Sequence, residues 1–354
     1  MIREDALKTQ MTSSTKWLAH LSYDRVIACF AIVLLHTLFA ANEYFAEAIT
    51  QRQDVISRAV ENNLMWAVPV FLMVTGALQL NPEKELPLKK LYTKYIARVF
   101  IALIFFSIVF RLFDMIMDGE VFSVSGILYA FSEIMNSKGW GHLWYLYLLI
   151  GIYVMLPFYR KIASGCSDEE LKYLLAVYVV FLSLFPLIEK LGINIPFYIC
   201  VSLIYPMYLF AGYMIKEKKL VISNGLAILM ISVASVLLII LSFLEHGKGI
   251  DVPKDIFGYA SPLVILQSLG LFAFIDGKSF KGQMPESVKS LDRCSFGIYL
   301  IHMIFVRLIF KYMHFNPYKM LPVLSIPICA ICIFALSYLV ARILKMIPGL
   351  KNII

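Results

Sequence analysis

Charge is scarce in this chain. Asp, Glu, Lys and Arg make up 16% of its 354 residues, while 60% are hydrophobic and the mean hydropathy is +0.78. An average soluble domain carries about 25% charged residues. The shortage excludes a soluble domain of ordinary size, because long apolar runs and short connections use up the length. Metal and nucleotide signatures are missing too. The six cysteines show no Cys/His ligand spacing and no second pair beside the single C-x-x-C at 329–332, and there is no Walker A, G-x-S-x-G, HExxH or Rossmann fingerprint. Cys329 and Cys332, at i and i+3, read as packing residues of an apolar helix. No internal repeat or low-complexity tract occurs, which weighs against a transporter built from inverted halves.

What is present is a series of apolar segments long enough to cross a bilayer. The expected fold is an all-α integral membrane protein, since open sheets cannot span lipid. Hydropathy places about ten transmembrane helices at 18–41, 62–80, 95–113, 142–159, 171–188, 197–215, 221–243, 258–275, 294–311 and 320–344. The first run is too long for a signal-peptide core and lacks a small-residue cleavage site, so it is read as a retained span. If the N-terminus is cytoplasmic, the inner segments hold 20 Lys and Arg and the outer ones 8, with Arg25, Arg98, Arg111 and Arg307 inside or at the ends of spans. That bias puts both termini inside. It also accounts for the net charge of +8 without nucleic acid. The expected organisation is a cytoplasmic tail at 1–17, a transmembrane domain at 18–345 and a second tail at 346–354. The connection 114–141 carries Ile127, Leu128, Phe131, Ile134 and Met135 at helical spacing, with Ser132, Glu133 and Asn136 between them. It reads as an interfacial or re-entrant helix over a cavity mouth, with Glu133 a candidate acceptor-binding residue, or else as plain loop packing.

Several groups of residues can carry chemistry. Arg25 and His36 in the first span are eleven residues apart, which places them on one helix face about 16 Å apart along the axis. Ionisable groups inside a span are expensive and often functional. A neutral histidine there can take a proton from a hydroxyl, or simply bond a neighbouring helix. Arg25 can equally anchor at inner-leaflet phosphates. His142, Trp144 and Tyr145 open the fourth span from outside, as an aromatic belt or as a platform for sugar rings. Ser295, Tyr299 and His302 recur at i, i+4 and i+7 and form one polar stripe, read as a site or as interhelical hydrogen bonding. Lys89, Lys90, Lys94 and Arg98 crowd the inner edge of the third span, where the positive-inside rule alone explains them and a phosphate-rich ligand also would. Pro69 and Gly76 kink or thin the second span.

Arg25-x10-His36, Val68-Pro-Val-Phe-Leu-Met-Val-Thr-Gly76, His142-Leu-Trp-Tyr-Leu146, Tyr259-Ala-Ser-Pro-Leu-Val264 and Ser295-Phe-Gly-Ile-Tyr-Leu-Ile-His302 occur in this order. Together they resemble the successive signatures of the membrane-bound acyltransferase 3 family, and among its members the bacterial O-acetyltransferases of surface polysaccharide. The resemblance implies an O-acyltransferase of the bacterial inner membrane. Such an enzyme moves an acyl group, usually acetyl, from cytosolic acetyl-CoA to a hydroxyl of a surface glycan or lipid-linked saccharide. Acetyl-CoA is then a cosubstrate, with no permanently bound cofactor and no metal. Arg25 and His36 match the family's essential pair. Its Arg-x-x-Arg in the third span is matched only by Arg98; the first position is Tyr95, and the adjacent Lys94 differs in helical phase.

On this reading Arg25, Arg98 and Lys94 grip the donor phosphates, and a thin pore holds the phosphopantetheine arm. His36 deprotonates the acceptor, Tyr299 or His302 donates to the oxyanion, and His142, Trp144, Tyr145 and Glu133 meet the glycan. A polytopic transporter of a lipid-linked sugar or small anion is the competing reading, which ten spans and buried charges also suit. A sensor or scaffold that has lost its chemistry is a third, and the presence of both Arg25 and His36 argues against it.

Overall fold

The computed structural model describes residues 2–120, 140–190, 203–278 and 284–354, with side chains from Ala19 onward. The expected helix within 114–141, including Glu133, falls largely outside the described residues. Among those described, all regular structure is helical. In chain order the helices are α1 (Ile2–Tyr44), α2 (Gln51–Asn62), α3 (Ala67–Gln79), α4 (Leu88–Met117), α5 (Gly141–Gly165), α6 (Asp168–Lys190), α7 (Tyr205–Lys216), α8 (Asn224–Gly247), α9 (Pro262–Asp276), α10 (Glu286–Tyr312) and α11 (Pro322–Leu344). The segment expected as a tail at 1–17 continues α1 as helix from Ile2.

The helix starts follow local chemistry. Thr50 with Gln53 and Ser167 with Glu170 form capping boxes at α2 and α6, and the hydroxyls of Ser223 and Ser261 cap α8 and α9. Pro206, Pro262 and Pro322 occupy first-turn positions where no backbone donor is needed.

Eight helices, or helices with their flanking turns, are long and apolar enough to cross a membrane among the described residues. The outermost expose their apolar faces: Ile228, Leu229, Val236 and Ile240 on α8, and Val323, Ile328, Ile331, Leu339 and Ile343 on α11. A water-facing surface would not carry such continuous apolar stripes, whereas lipid accommodates them. The chain is a multi-pass membrane protein.

The second and sixth expected spans are different. Helices α3 and α7 have 13 and 12 residues, about 20 and 18 Å, and α7 is buried along the whole stretch Pro206–Ile215. They cross each other at two glycines. A Cβ on Gly76 would run into the Leu209 carbonyl, and one on Gly212 into the Met73 carbonyl. Only glycine permits this backbone approach. Hydropathy scores apolar residues alike whether they face lipid or protein, so it reads this buried pair as two ordinary spans.

Long-range bonds sort the connections into two ends. At the end rich in Lys and Arg, Arg160 bonds the Gln79 and Lys84 carbonyls, Lys219 pairs with Asp168, and Lys218 pairs with Asp276. At the opposite end Asn62 bonds Ser242, Tyr318 bonds Asn42, and Lys311 pairs with Asp118.

Candidate active site

Helices α1 and α10 lie side by side and point the same way. Arg25 meets Asp292, the Cys29 thiol lies 3.5 Å from the Ser295 carbonyl, and His36 meets His302. The polar stripe read on each helix therefore faces the other. The eleven-residue step from Arg25 to His36 matches a ten-residue step from Asp292 to His302.

Three imidazoles meet in the middle of the bundle. His36 Nδ1 is 2.8 Å from His302 Nε2, and the two rings stack with centroids 5.0 Å apart. His142 stands edge-on, 5.5 Å from His302 and 6.4 Å from His36. The hydrogen-bond network fixes the tautomers. His302 Nδ1 lies 3.2 Å from the Ile298 carbonyl. A carbonyl only accepts, so this nitrogen carries the proton and Nε2 of a neutral ring holds a lone pair. His36 must then donate from Nδ1, which leaves a lone pair on its own Nε2 with no hydrogen-bond partner among the described residues. His302 is fully buried and His36 half-buried. His142 sets Nε2 against the Leu300 carbonyl at 3.4 Å, and its Nδ1 has no hydrogen-bond partner among the described residues. Among the described residues no group of three His, Cys, Asp or Glu is arranged to hold a metal ion.

Toward the basic end a cavity of about 240 Å³ opens between α1, α3, α4, α5 and α10. Arg25, Arg98, Gln79 and Tyr95 line it, with Phe71, Tyr145 and Tyr299 also in its wall. Asp292 holds Arg25 from two directions, Nε at 2.8 Å and Nη2 at 2.9 Å, and Ser22 donates to the same carboxylate at 2.7 Å. This fork orients the guanidinium on the cavity wall. Arg98 donates from Nε to the Ile353 carbonyl at 3.3 Å and lies 5.1 Å over the Phe296 ring. Lys94 is exposed and does not line the cavity. A wide π-type turn over Leu91–Ile96 separates its phase from that of Arg98.

Tyr299 is the wall between the cavity and the imidazoles. It lines the cavity, its ring is 5.8 Å from His142 and 6.0 Å from His302, and its hydroxyl donates to the His142 carbonyl. The available hydrogens of Tyr299 and His302 are thus both engaged by backbone carbonyls.

The group His142, Trp144 and Tyr145 divides three ways. His142 joins the imidazoles, Tyr145 lines the cavity, and Trp144 stacks on Tyr259 at 5.6 Å beside Tyr205. Beyond His142 lies a knot absent from the sequence reading. Trp140 stacks on Phe110 with centroids 4.3 Å apart, lies 3.8 Å beneath the Arg307 guanidinium and donates to Asp114 at 2.8 Å. Arg307 also donates to both oxygens of Asp114, at 2.7 and 2.8 Å. Asp114, Arg307 and Asp292 sit near the ends of spans, where charge is ordinary, so only their partners distinguish them.

Residues 20–342 match the acyltransferase 3 family over the region described as its acyltransferase domain. No curated protein and no solved structure matches the chain. A match over nearly the whole chain agrees with an all-helical membrane bundle whose first and tenth helices meet through paired polar residues, and the chain belongs to the acyltransferase 3 family of membrane acyltransferases.

Proposed function

We propose that this protein transfers an acyl group, acetyl in the first instance, from cytosolic acyl-CoA to a hydroxyl of a surface glycan or lipid-linked saccharide at the outer face of the bacterial inner membrane. The donor enters from the basic end. Its phosphates meet Arg25 and Arg98, and its pantetheine arm follows the cavity toward Tyr299. The acceptor comes from the opposite end, where Trp144 and its tyrosines offer apolar faces to a sugar ring.

His36 Nε2 takes the proton of the acceptor hydroxyl as the oxygen attacks the thioester carbonyl. The oxygen–carbon bond forms, the carbon–sulfur bond breaks, and the departing thiolate takes the proton back from His36. His302 accepts from His36 Nδ1 and keeps the basic lone pair on Nε2. Tyr299 must swing for the thioester to reach His36. Once it leaves the His142 carbonyl, its hydroxyl is free to donate to the oxyanion. Holding both substrates against one base supplies the gain from proximity.

The observation that carries this reading is the pairing of an unshared imidazole nitrogen with a cavity lined by two arginines. In cells that depend on this gene for surface-glycan acetylation, ester-linked acetyl should fall to background with His36→Ala at normal expression. Undiminished ester would remove His36 from the chemistry. Transport of the unmodified saccharide with no acyl transfer would replace the reading by the transporter one.

A further inference from the structure

We infer that Lys84, on the loop joining α3 to α4, is a third cation of the inner anion site and exchanges its bond to Gln79 for a phosphate oxygen of the donor. The inference rests on the acyl-CoA reading and assigns a residue to it.

The loop is pinned in place. Arg160 reaches over from α5 and donates from its two terminal nitrogens to the carbonyls of Gln79, where α3 ends, and Lys84, midway along the loop. A planar guanidinium spanning two carbonyls fixes their separation. Lys84 consequently turns inward. Its ammonium is 3.0 Å from Gln79 Oε1, 3.3 Å from the Leu78 carbonyl and 5.9 Å from the centre of the Tyr95 ring. Gln79 and Tyr95 both line the cavity that contains Arg25 and Arg98.

The charges at this mouth do not balance. Asp292 matches Arg25, but among the described residues no carboxylate lies within ion-pair distance of Lys84, Arg98 or Arg160. Half-burial pushes the Lys84 ammonium below its usual range, and repulsion from Arg160 and Lys90 adds to this against an opposing pull from Tyr95. A polyanion between these groups relieves the repulsion. Among the bonds of Lys84, the one to the neutral Gln79 amide oxygen is the one a charged phosphate oxygen can outcompete. The surface lysines of α4, Lys89 and Lys90, are exposed and share none of this geometry.

The test uses purified full-length enzyme in vesicles with two donors, acetyl-CoA and acetyl-pantetheine, the second lacking the nucleotide phosphates. Lys84→Met should raise KM for acetyl-CoA about tenfold, one decade of binding, leave kcat unchanged, and leave the acetyl-pantetheine parameters unchanged. Lys84→Arg should stay close to the parent, and Lys172→Met, at an exposed lysine of α6 paired with Glu169, should match it. The acetyl-pantetheine rate also reports that the variant is folded. Equal losses with both donors would overturn the inference and make Lys84 a prop of the loop. No change with either donor would overturn it as well. A parent enzyme that uses neither donor would instead bring down the acyl-CoA reading, and the inference with it. Competition by inorganic phosphate that matches 3′,5′-ADP and is equally lost in Lys84→Met would assign the site to free phosphate and overturn the donor assignment.

Discussion

His302 illustrates how one backbone carbonyl can set the chemistry of a site. The Ile298 carbonyl fixes the His302 proton on Nδ1, and the 2.8 Å bond passes the constraint to His36. His302→Ala should therefore lower kcat by about 10²-fold, the lower end of what a positioned base contributes, while KM for acyl-CoA stays put. His302→Gln, whose side-chain oxygen can accept from His36 Nδ1, should recover part of that loss. Initial rates with saturating donor check both. Asp292 acts at the other end of the same helix pair. Asp292→Ala should raise KM about tenfold with kcat less affected, because Arg25 loses the carboxylate that aims it. The stripe positions of Arg25, His36, Tyr299 and His302 were legible from helical periodicity alone. Their partners were not. Asp292 and Asp114 lie where span ends normally carry charge, and Lys84 enters the site through a loop shaped by Arg160, a contact that leaves no periodic trace.

At the scale of elements, the α3–α7 crossing brings two backbones together at Gly76 and Gly212. Gly76→Ala and Gly212→Ala each force a methyl group into a carbonyl of the facing helix. Overpacking of this kind costs about 1–3 kcal/mol where side chains can yield, and a backbone neighbour yields less. Each variant should unfold at lower temperature in detergent than the parent. Gly151→Ala, on α5 with open space around its would-be Cβ, should leave the midpoint unchanged or raise it slightly through helix propensity. A destabilisation common to all three would count against the crossing. The fold class was readable from hydropathy and the shortage of charge, because lipid admits only helices and closed barrels and long continuous apolar runs select helices. The brevity of α3 and α7 was not, since it depends on which neighbours shelter them.

For the whole molecule, the ion pairs and hydrogen bonds among the described residues join loops of the same sequence-counted set, basic with basic and opposite with opposite. We expect the basic end in the cytoplasm. In a cysteine-free background, Glu47→Cys should react with an impermeant maleimide on intact cells and Ser164→Cys only after permeabilisation; the reverse would invert the protein. Such an orientation is what the proposed transfer across the membrane needs, with the arginine-lined cavity toward one end, the Trp144 cluster toward the other and His36 between.

The most direct measurement seals acetyl-CoA, labelled in its acetyl group, inside proteoliposomes on the basic side and supplies the saccharide acceptor only outside. The account predicts labelled ester on the outer acceptor with the native protein and none with His36→Ala. Label that appears only when donor and acceptor share a compartment, or that survives loss of the His36 imidazole, would contradict it.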